Sequence, residues 1–317
     1  MRKLLSITIV LALLWAGYWF VAARGLDKAL NAGIEAQRAA GWTIAYDDLS
    51  VSGFPNRLDT TLTAPTIAAP TGDFGWSAPF FQVLTLSYRP NHIIAVWPET
   101  QTLTLPDLGK VTVLNTDMRA SAVVRAEGDL TLDRANLVAE QIAARFETGD
   151  RIAADKVLLA LRATEEPTTY DVAVDATGLS AAGHVITATK VNARVGLSQP
   201  LNRFALAPLP HATRVDLDNA RIEWGETVVT ATGGFDIDLD GYATGALTLG
   251  ITNWRAALTM AQDMGLMRPA DVKQATRVLR LLAASDGDDT TLDVPLSLRG
   301  GQVWLGPVNL GRMPRLR

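Results

Sequence analysis

The side chain best suited to acid–base chemistry near neutral pH is histidine, and the chain contains three: His92, His184 and His211. Each falls in a separate predicted turn or strand end. Cysteine is absent, no Gly-x-Ser-x-Gly nucleophile elbow occurs, and no histidines have metal-ligand spacing. An envelope hydrolase would need one of these histidines beside a Ser or Asp in a cleft. The sequence favours structural or surface histidines, and we predict no enzyme activity and no cofactor.

Two acidic stretches have spacings that suit cations. Asp236, Asp238 and Asp240 alternate, so in a single strand their carboxylates would share one face about 7 Å apart. The Asp-Gly-Asp-Asp segment 286–289 resembles the beginning of a calcium loop but lacks the later ligands and the final Glu. A solvated sheet face and a solvated turn explain both stretches, so we predict no metal site.

Aromatic residues are concentrated in residues 42–97, which hold nine of the chain's 21. Such a concentration is typical of an ordinary core, and also of the entrance to an apolar groove that accepts acyl chains from a bilayer. Seven of these aromatic residues are candidate groove residues: Trp42, Phe54, Trp76, Phe80, Phe81, Tyr88 and Trp97.

Three arginines, Arg57, Arg89 and Arg119, lie among the predicted strands. Because a guanidinium matches the geometry of phosphate, Arg57 and Arg89 are candidate ligands of a lipid headgroup at the groove mouth. Cross-strand ion pairs with nearby acids are the alternative. The net charge is −4 and no basic stripe exists, so nucleic acid is not an expected partner.

The elements that must position these groups begin with an uncharged run of 20 residues, Leu4–Ala23. As a helix this run covers about 30 Å, the thickness of the hydrocarbon core of a bilayer. A cleaved signal peptide is the alternative, because Val21–Ala23 has the small residues of a cleavage site, but its apolar core would be only about 7–15 residues long. We predict a retained single-pass anchor at residues 4–23, with residues 1–3 in the cytoplasm and the bulk of the chain in the periplasm.

The hydrophobic period changes after the anchor. Leu26, Leu30 and Ile34 recur at four-residue spacing, which predicts a helical stalk over residues 24–41. From residue 42 the period is two, which is typical of strands. The predicted organisation beyond the stalk is an N-terminal part of a β domain at 42–198, a proline-rich connection at 199–212, and a C-terminal part at 213–317 with helices at about 253–264 and 269–284.

Three local features need interpretation. Residues 136–147 have a helix-favouring composition, but their neighbours alternate and a turn follows, so we predict a strand. Asn253 is the predicted cap of the first C-terminal helix. The chain closes with a predicted hairpin of Thr291–Leu298 and Gln302–Leu310.

Roughly 18–20 short strands at hairpin spacing imply one antiparallel sheet. Because every strand adds twist, so large a sheet must curl or split. We therefore predict a mainly β fold: an N-terminal transmembrane helix and stalk, then a large curved antiparallel sheet with an apolar concave face, a C-terminal helical pair and a closing hairpin.

Several short motifs follow one another in a recognisable order. They are Gly-Phe-Pro-x-Arg at 53–57, Tyr-Arg-Pro-Asn-His at 88–92, Trp-Gly at 224–225, Gly241, Gly-x-Val-x-Leu-Gly-Pro at 301–307 and Leu-Gly-x-x-Pro at 310–314. Through most of residues 2–314 the chain resembles a Gram-negative bacterial family, domain of unknown function 2125. The anchor and the alternating β region also resemble the AsmA-like superfamily. That resemblance implies an inner-membrane-anchored periplasmic half-barrel or groove tied to lipid transport and outer-membrane assembly.

Our leading hypothesis is a non-enzymatic inner-membrane protein whose β groove binds or passes a phospholipid or other acyl lipid during cell-envelope maintenance. The alternative is a structural or scaffolding envelope protein with a filled core and no ligand, which holds other envelope proteins. The two differ in the interior of the sheet, which is open and apolar in the first hypothesis and packed in the second.

Overall fold

A computed structural model describes residues 1–181, 183–205, 209–265, 267–286, 290–313 and 315–316. The predicted fold class is confirmed: the chain is mainly β, with one large open antiparallel sheet, a long apolar N-terminal helix, two helices near the C-terminus and closing strands. Two compact units divide the chain. Unit 1 comprises residues 1–124 and 137–150, and unit 2 comprises residues 125–136 and 151–317.

Helix α1 (Arg2–Ala39) joins the predicted anchor and stalk without a break. It is long and apolar enough to cross a membrane, and most of its apolar side chains before Trp15 are exposed. The helix ends before Gly41, whose φ of +94° is a left-handed conformation that glycine adopts without a steric penalty. Beyond Gly41 the chain turns into the first strand.

The strands of unit 1 are short pieces of longer strands. Their bounds are β1 (Thr43–Ala45), β2 (Asp48–Ser52), β3 (Asp59–Thr63), β4 (Thr66–Ala68), β5 (Gly75–Ser77), β6 (Phe80–Leu86), β7 (Arg89–Trp97), β8 (Thr100–Leu105), β9 (Gly109–Leu114), β10 (Asp117–Val124) and residues 137–146 of β11 (Leu132–Phe146). Two series of antiparallel pairings result. In the first, the order of neighbouring strands is β2, β3, β6, β7 and β10. In the second, the order is β1, β4, β5, β8, β9 and β11.

Prolines mark where these long strands are interrupted. Pro65, Pro79 and Pro98 each fall in the gap between two collinear pieces. Because proline has no N–H to donate, it cannot continue a pairing on both sides. The neighbouring chain compensates: the Ala64 N–H donates to the Pro79 carbonyl at 2.8 Å, and the Asn115 Nδ2 donates to the Pro98 carbonyl at 2.9 Å.

Unit 2 is an antiparallel meander that is interrupted by two helices. Its elements after residues 132–136 of β11 are β12 (Arg151–Ala163), β13 (Thr169–Ala181), β14 (His184–Leu197), β15 (Ala212–Trp224), β16 (Thr227–Ile237), β17 (Ala243–Thr252), α2 (Trp254–Asp263), α3 (Pro269–Asp286), β18 (Thr291–Arg299), β19 (Gln302–Leu305) and β20 (Val308–Arg312). From β12 onward each strand pairs with the next strand in sequence. The proline-rich segment 199–212 lies within this unit, and its residues 206–208 lie outside the described residues.

The core of unit 2 lies where α2 and α3 pack on the sheet. Apolar side chains at helical spacing on α3 meet side chains that alternate along the strands. The core residues are Ile251, Trp254, Leu279, Ala283, Leu292, Val294 and Leu305. The predicted helical pair is therefore present, with bounds within a few residues of the prediction.

Several local predictions have definite outcomes. Residues 136–146 are confirmed as strand, because they belong to β11, which pairs with β9 from Ala143 to Phe146, and Glu147 begins the turn that follows. Asn253 takes the N-cap position of α2 as predicted, but its side chain makes no hydrogen bond to the first turn of the helix. The Nδ2 instead donates to the Glu226 carbonyl at 2.9 Å. The second strand of the closing hairpin is two strands, because the Gly306-Pro307 turn separates β19 from β20.

A close approach between β16 and β17 requires a glycine. A methyl group at Gly245 would overlap the Gly234 carbonyl oxygen and lie 2.6 Å from the Phe235 Cα. We expect Gly245→Ala to lower the free energy of unfolding of unit 2 by about 3 kcal/mol, or roughly 6–12 °C in melting temperature. Thermal unfolding of the detergent-solubilised chain, followed by circular dichroism, measures this change.

Gly250→Ala on the same strand is the matched control. Its new methyl group would meet the Thr230 hydroxyl, which can rotate away, so we expect a change within about 1 kcal/mol. Equal destabilisation by the two variants would contradict the close-approach explanation.

Candidate functional site

An apolar cavity of about 630 Å³ lies within unit 1. Its volume is in the range of ligand-binding pockets, about 300–1,000 Å³. One wall comes from α1 and the others come from strands β2 to β11. The lining residues are Leu30, Ile34, Leu49, Thr60, Leu62, Ile67, Phe74, Trp76, Phe81, Val83, Trp97, Gln101, Leu103, Val113, Met118 and Ile142.

The two-residue period of the strands explains this lining. Thr60 and Leu62 on β3 point to the same face because they are two residues apart. The same spacing places Phe81 and Val83 of β6, and Gln101 and Leu103 of β8, on the cavity side. The helix contributes with its own period, since Leu30 and Ile34 are one turn apart.

Three aromatic rings form a connected row along the cavity wall. The Trp76 and Phe81 ring centroids are 5.7 Å apart and nearly perpendicular, and the Phe81 and Trp97 centroids are 5.2 Å apart. Both distances are typical of favourable aromatic pairs. The rings therefore hold one another in place and present a fixed apolar surface.

The Trp76 and Gln101 side chains that line the cavity bond to each other. The Trp76 Nε1 donates to the Gln101 Oε1 at 2.7 Å, and the Gln101 Nε2 lies 3.5 Å from the Met118 Sδ. Gln101 is only 5% exposed. Because a buried amide without partners would be costly, this pairing fixes the side chains and leaves the cavity surface apolar.

The predicted groove residues have four different locations. Trp76, Phe81 and Trp97 line the cavity together, whereas Trp42, Phe54, Phe80 and Tyr88 do not. The Trp42 ring contacts the lining residue Phe74 at 6.5 Å between centroids. Phe80 precedes Phe81 on β6 and so faces the opposite side of the sheet, while Phe54 and Tyr88 are exposed in turns.

Some lining residues were not among the sequence candidates. Leu30 and Ile34 belonged to the predicted stalk, and their four-residue spacing was the signal that one helix face is buried. Gln101, Met118 and Ile142 gave no such signal, because only the register of β8, β10 and β11 brings them to the cavity.

The three arginines that lie among the predicted strands differ in their ion-pair partners. The Arg57 Nε is 2.9 Å from the Asp59 Oδ2, and the Arg119 Nη2 is 2.6 Å from the Asp117 Oδ2. Both arginines therefore form ion pairs with nearby acids, as the alternative predicted. The partners are two residues apart in the same chain segment, so these ion pairs are not cross-strand. Among the residues that the structure describes, Arg89 has no recorded ion pair, and it is exposed.

The histidines are not brought together. The His184 Nε2 lies 3.6 Å from the Asp263 Oδ2, with both side chains partly exposed. His92 is on β7 of unit 1, and the backbone N–H of His211 donates to the Ser198 Oγ in unit 2. Within the described part of the chain, no three His, Cys, Asp or Glu side chains are grouped as metal ligands.

The predicted alternation of three aspartates along one strand is wrong. Strand β16 ends at Ile237, so only Asp236 belongs to it, and its Oδ1 is 2.9 Å from the Arg214 Nη1. The Asp238 Oδ1 instead accepts the backbone N–H groups of Asp240 and Tyr242, which closes a turn. Residues 287–289 of the calcium-like segment lie outside the described residues.

A second apolar cavity, of about 500 Å³, lies within unit 2 between the helical pair and the sheet. Four of the chain's six methionines line it: Met260, Met264, Met267 and Met313. Met side chains fill irregular space because they are unbranched and flexible. This cavity is therefore lined in part by adaptable side chains, and the buried Trp254 Nε1 among its lining residues has no hydrogen-bond partner within the described ranges.

An ion pair beside this second cavity contains a carboxyl group, that of Asp271, whose pKa is shifted. The Arg268 Nε donates to the Asp271 Oδ2 at 2.7 Å, which lowers the pKa of Asp271. A lowered folded-state pKa contributes stability above the unfolded pKa of about 3.9, and that contribution is lost as the pH falls through the folded value. We expect Asp271→Asn to lower the melting temperature slightly at neutral pH and not at all once wild-type Asp271 is protonated. Equal differences at both pH values would contradict this assignment.

Four of the motif glycines lie in turns of the structure, whereas motif residues such as His92, Val303 and Leu310 lie in strands. Gly225 lies in the turn between β15 and β16, Gly241 in the turn before β17, and Gly306 in the turn between β19 and β20. Gly53 begins the turn between β2 and β3. Pro314, the last motif residue, lies outside the described residues. The motifs therefore specify where strands reverse and form no cluster of reactive groups.

Comparison with known proteins yields one match. No curated protein matches the chain. No solved structure matches it. A family model described as "Uncharacterized protein conserved in bacteria (DUF2125)" matches residues 19–314, which include every strand and both helices of the helical pair. The chain belongs to the DUF2125 family.

Proposed function

We propose that this DUF2125 protein is a single-pass inner-membrane protein whose periplasmic unit 1 holds the acyl chain of a lipid in its apolar cavity, in support of the cell envelope. The observation that carries the proposal is the cavity itself, which is large enough for a ligand and lined almost entirely by apolar side chains. It is a binding function without bond chemistry.

The helix that forms one cavity wall also connects the cavity with the apolar segment. Trp19, Ala23 and Leu26 of α1 pack against Val51 and Leu58 of the sheet. Leu30 and Ile34 continue the same helix face into the cavity. Because these positions recur every three or four residues, one apolar stripe runs along α1 from the predicted bilayer to the cavity. Because Trp19 and Ala23 are buried against the sheet, this stripe fixes α1 to unit 1 and holds the cavity next to the apolar segment.

The chemistry of the lining favours a hydrocarbon chain over a headgroup. Burial of each methylene contributes about 0.8 kcal/mol, so a chain of several methylenes would bind without any polar contact. A phosphate or sugar would need hydrogen-bond donors, and the Trp76 and Gln101 donors already have partners. The headgroup would therefore remain outside the cavity.

The location follows from the flanks of the apolar run. Arg2 and Lys3 precede it and favour a cytoplasmic N-terminal side by the positive-inside rule. The exposed apolar surface of α1 before Trp15 is explained by lipid contact. The complete absence of cysteine from the sequence fits an oxidising periplasm.

Native mass spectrometry of the chain, extracted in a mild detergent, tests the proposal. We expect a bound acyl-chain molecule that remains after the detergent is removed in the gas phase. Transfer of a fluorescent phospholipid between vesicles is the second measurement. Consistently empty protein without transfer would contradict lipid binding and would leave the scaffolding alternative.

A further inference from the structure

We infer that two turns of unit 1 enter the lipid headgroup layer beside α1 and form a second contact with the bilayer. These lipid-facing turns are residues 53–57, between β2 and β3, and residues 86–89, between β6 and β7. The inference rests on the anchor of the proposed function and does not depend on the cavity. Its ligand is the surface of a phospholipid bilayer.

Hydrogen bonds fix the height of both turns along α1. The Trp15 Nε1 donates to the Pro55 carbonyl at 3.0 Å, and the Trp19 Nε1 donates to the Arg57 carbonyl at 2.6 Å. For the second turn, the Tyr18 hydroxyl donates to the Ser87 carbonyl at 2.7 Å. Both turns are therefore held at the level of residues 15–19.

The length of the apolar run places this level inside the bilayer. Leu4–Leu14 contains 11 residues, which form about 16 Å of helix. The hydrocarbon core is about 30 Å thick, so residues 4–14 cover only half of it. If both turns remained in water, half of the core would lack a spanning helix. A core that extends to Ala23 would cover Trp15 by about 12 Å and so reach both turns. Local thinning of the bilayer around these polar turns, at a modest cost per Å, then sets the headgroup layer at their level.

The side chains of this region suit the membrane interface. Phe54 is 53% exposed, and its ring contacts the Trp19 and Phe20 rings at 5.4 and 5.7 Å between centroids. Tyr88 is 57% exposed at the tip of the second turn. With the exposed aromatic residues of α1 they lie near the level of residues 15–20, and such rings are enriched at headgroup level. These aromatic residues are Trp15, Tyr18, Phe20, Phe54 and Tyr88.

Several backbone polar groups of the turns already have hydrogen-bond partners within the protein. An irregular loop is tolerated at membrane depth only if its polar groups have partners. The Arg57 N–H donates to the Gly53 carbonyl at 2.8 Å, and the Ser87 N–H donates to the Asn56 carbonyl at 2.9 Å. Pro55 has no N–H, and its carbonyl accepts from Trp15. The family motif Gly-Phe-Pro thus provides an exposed ring on a turn with few free donors.

Basic side chains flank these aromatic residues where lipid phosphates would lie. Arg57 and Arg89 belong to or adjoin the lipid-facing turns, and both are exposed. The Arg24 guanidinium carbon lies 6.0 Å from the Phe20 ring centroid, at the far end of the apolar run. In a bilayer the phosphates lie outside the layer in which aromatic side chains are enriched, and a guanidinium next to that layer can bind a phosphate. Arg57 is ion-paired with Asp59, so the exposed Arg89 is the arginine of the turns that we assign to a lipid phosphate.

Because the chain has no cysteine, single-cysteine variants carry one label each and test the inference. Phe54→Cys and Tyr88→Cys are labelled with nitrobenzoxadiazole in vesicles of phosphatidylethanolamine and phosphatidylglycerol that contain a lipid with a nitroxide near its headgroup. Leu108→Cys is the matched control. Leu108 is 52% exposed and lies in the turn after β8, and β7 and β8 together lead from the second lipid-facing turn to this turn. That turn is on the order of 50 Å away along the strands.

We expect nitroxide quenching at positions 54 and 88 to exceed that at position 108 by at least about threefold. Quenching at positions 54 and 88 no greater than at 108 would overturn the inference. Leu11→Cys, in parallel vesicles whose lipid carries its nitroxide at the middle of the acyl chain, separates this failure from failure of the anchor. Strong quenching there with none at 54 and 88 would overturn the inference alone, whereas none at position 11 would overturn the anchor as well. Unchanged circular dichroism verifies that each variant is folded.

Discussion

Replacing Val83 with Phe is expected to lower the amount of lipid that copurifies with the chain by about tenfold or more. Val83 lies on β6 and lines the unit 1 cavity beside the row formed by Trp76, Phe81 and Trp97. The larger ring would occupy space that we assign to several methylenes of an acyl chain, each contributing about 0.8 kcal/mol. Quantitative lipid analysis of purified wild-type and variant chains measures the loss.

Val96→Phe is the matched control for this prediction. Val96 lies on the adjacent strand β7 and is paired with Gln82, while its neighbour Trp97 faces the cavity. Its own side chain therefore points to the other face of the sheet. We expect normal lipid content for Val96→Phe and equal melting temperatures for both variants. Undiminished lipid in Val83→Phe would show that the bound lipid is not in this cavity.

Replacing Trp19 with Ala is expected to lower the free energy of unfolding of unit 1 by about 3–5 kcal/mol. Trp19 is 7% exposed and packs with Ala23 and Leu58 in the cluster that joins α1 to the sheet. Its removal would leave a void and would also remove the N–H that the Arg57 carbonyl accepts. Chemical unfolding of the detergent-solubilised chain, followed by near-ultraviolet circular dichroism, measures the change.

Trp19→Phe separates the two contributions. The ring and most of the packing remain, but the Arg57 carbonyl loses its donor, so we expect a loss of about 1–2 kcal/mol. If Trp19→Ala were no more destabilising than Trp19→Phe, packing at this position would not hold α1 on the sheet.

The secondary structure was largely predictable because it depends on local patterns. The uncharged run at residues 4–23 predicted the first part of α1, and the four-residue spacing of Leu30 and Ile34 predicted the rest. The two-residue period predicted the strands, including residues 136–147, where alternation outweighed helix propensity. The helical pair was predictable because amphipathic periods of 3.6 residues interrupt the strands.

Details that depend on partners distant in sequence were not predictable. The side chain of Asn253 bonds to Glu226, a residue 27 positions away, instead of to its own helix. Asp236 and Asp238 occupy a strand and a turn, because the chain reverses after Ile237. The sequence pattern alone shows neither the partner of Asn253 nor the residue at which β16 ends.

The candidate site was predicted in part for the same reason. Trp76, Phe81 and Trp97 were candidates because aromatic residues are concentrated in their part of the chain, and the structure brings them together. Phe54 and Tyr88 were chosen on the same ground but lie at the other end of the strands, in the lipid-facing turns. Composition identifies aromatic residues, whereas strand register and hydrogen bonds to α1 decide which surface each one joins.

Photo-cross-linking with a phospholipid that carries a diazirine in its acyl chain tests the central claim most directly. The full-length chain is irradiated in vesicles, and the modified peptides are mapped by mass spectrometry. Occupation of the unit 1 cavity predicts adducts on cavity residues such as Phe81, Trp97 and Met118, with fewer in Val83→Phe. Adducts confined to residues 4–23 of α1, with none in the cavity, would contradict the claim.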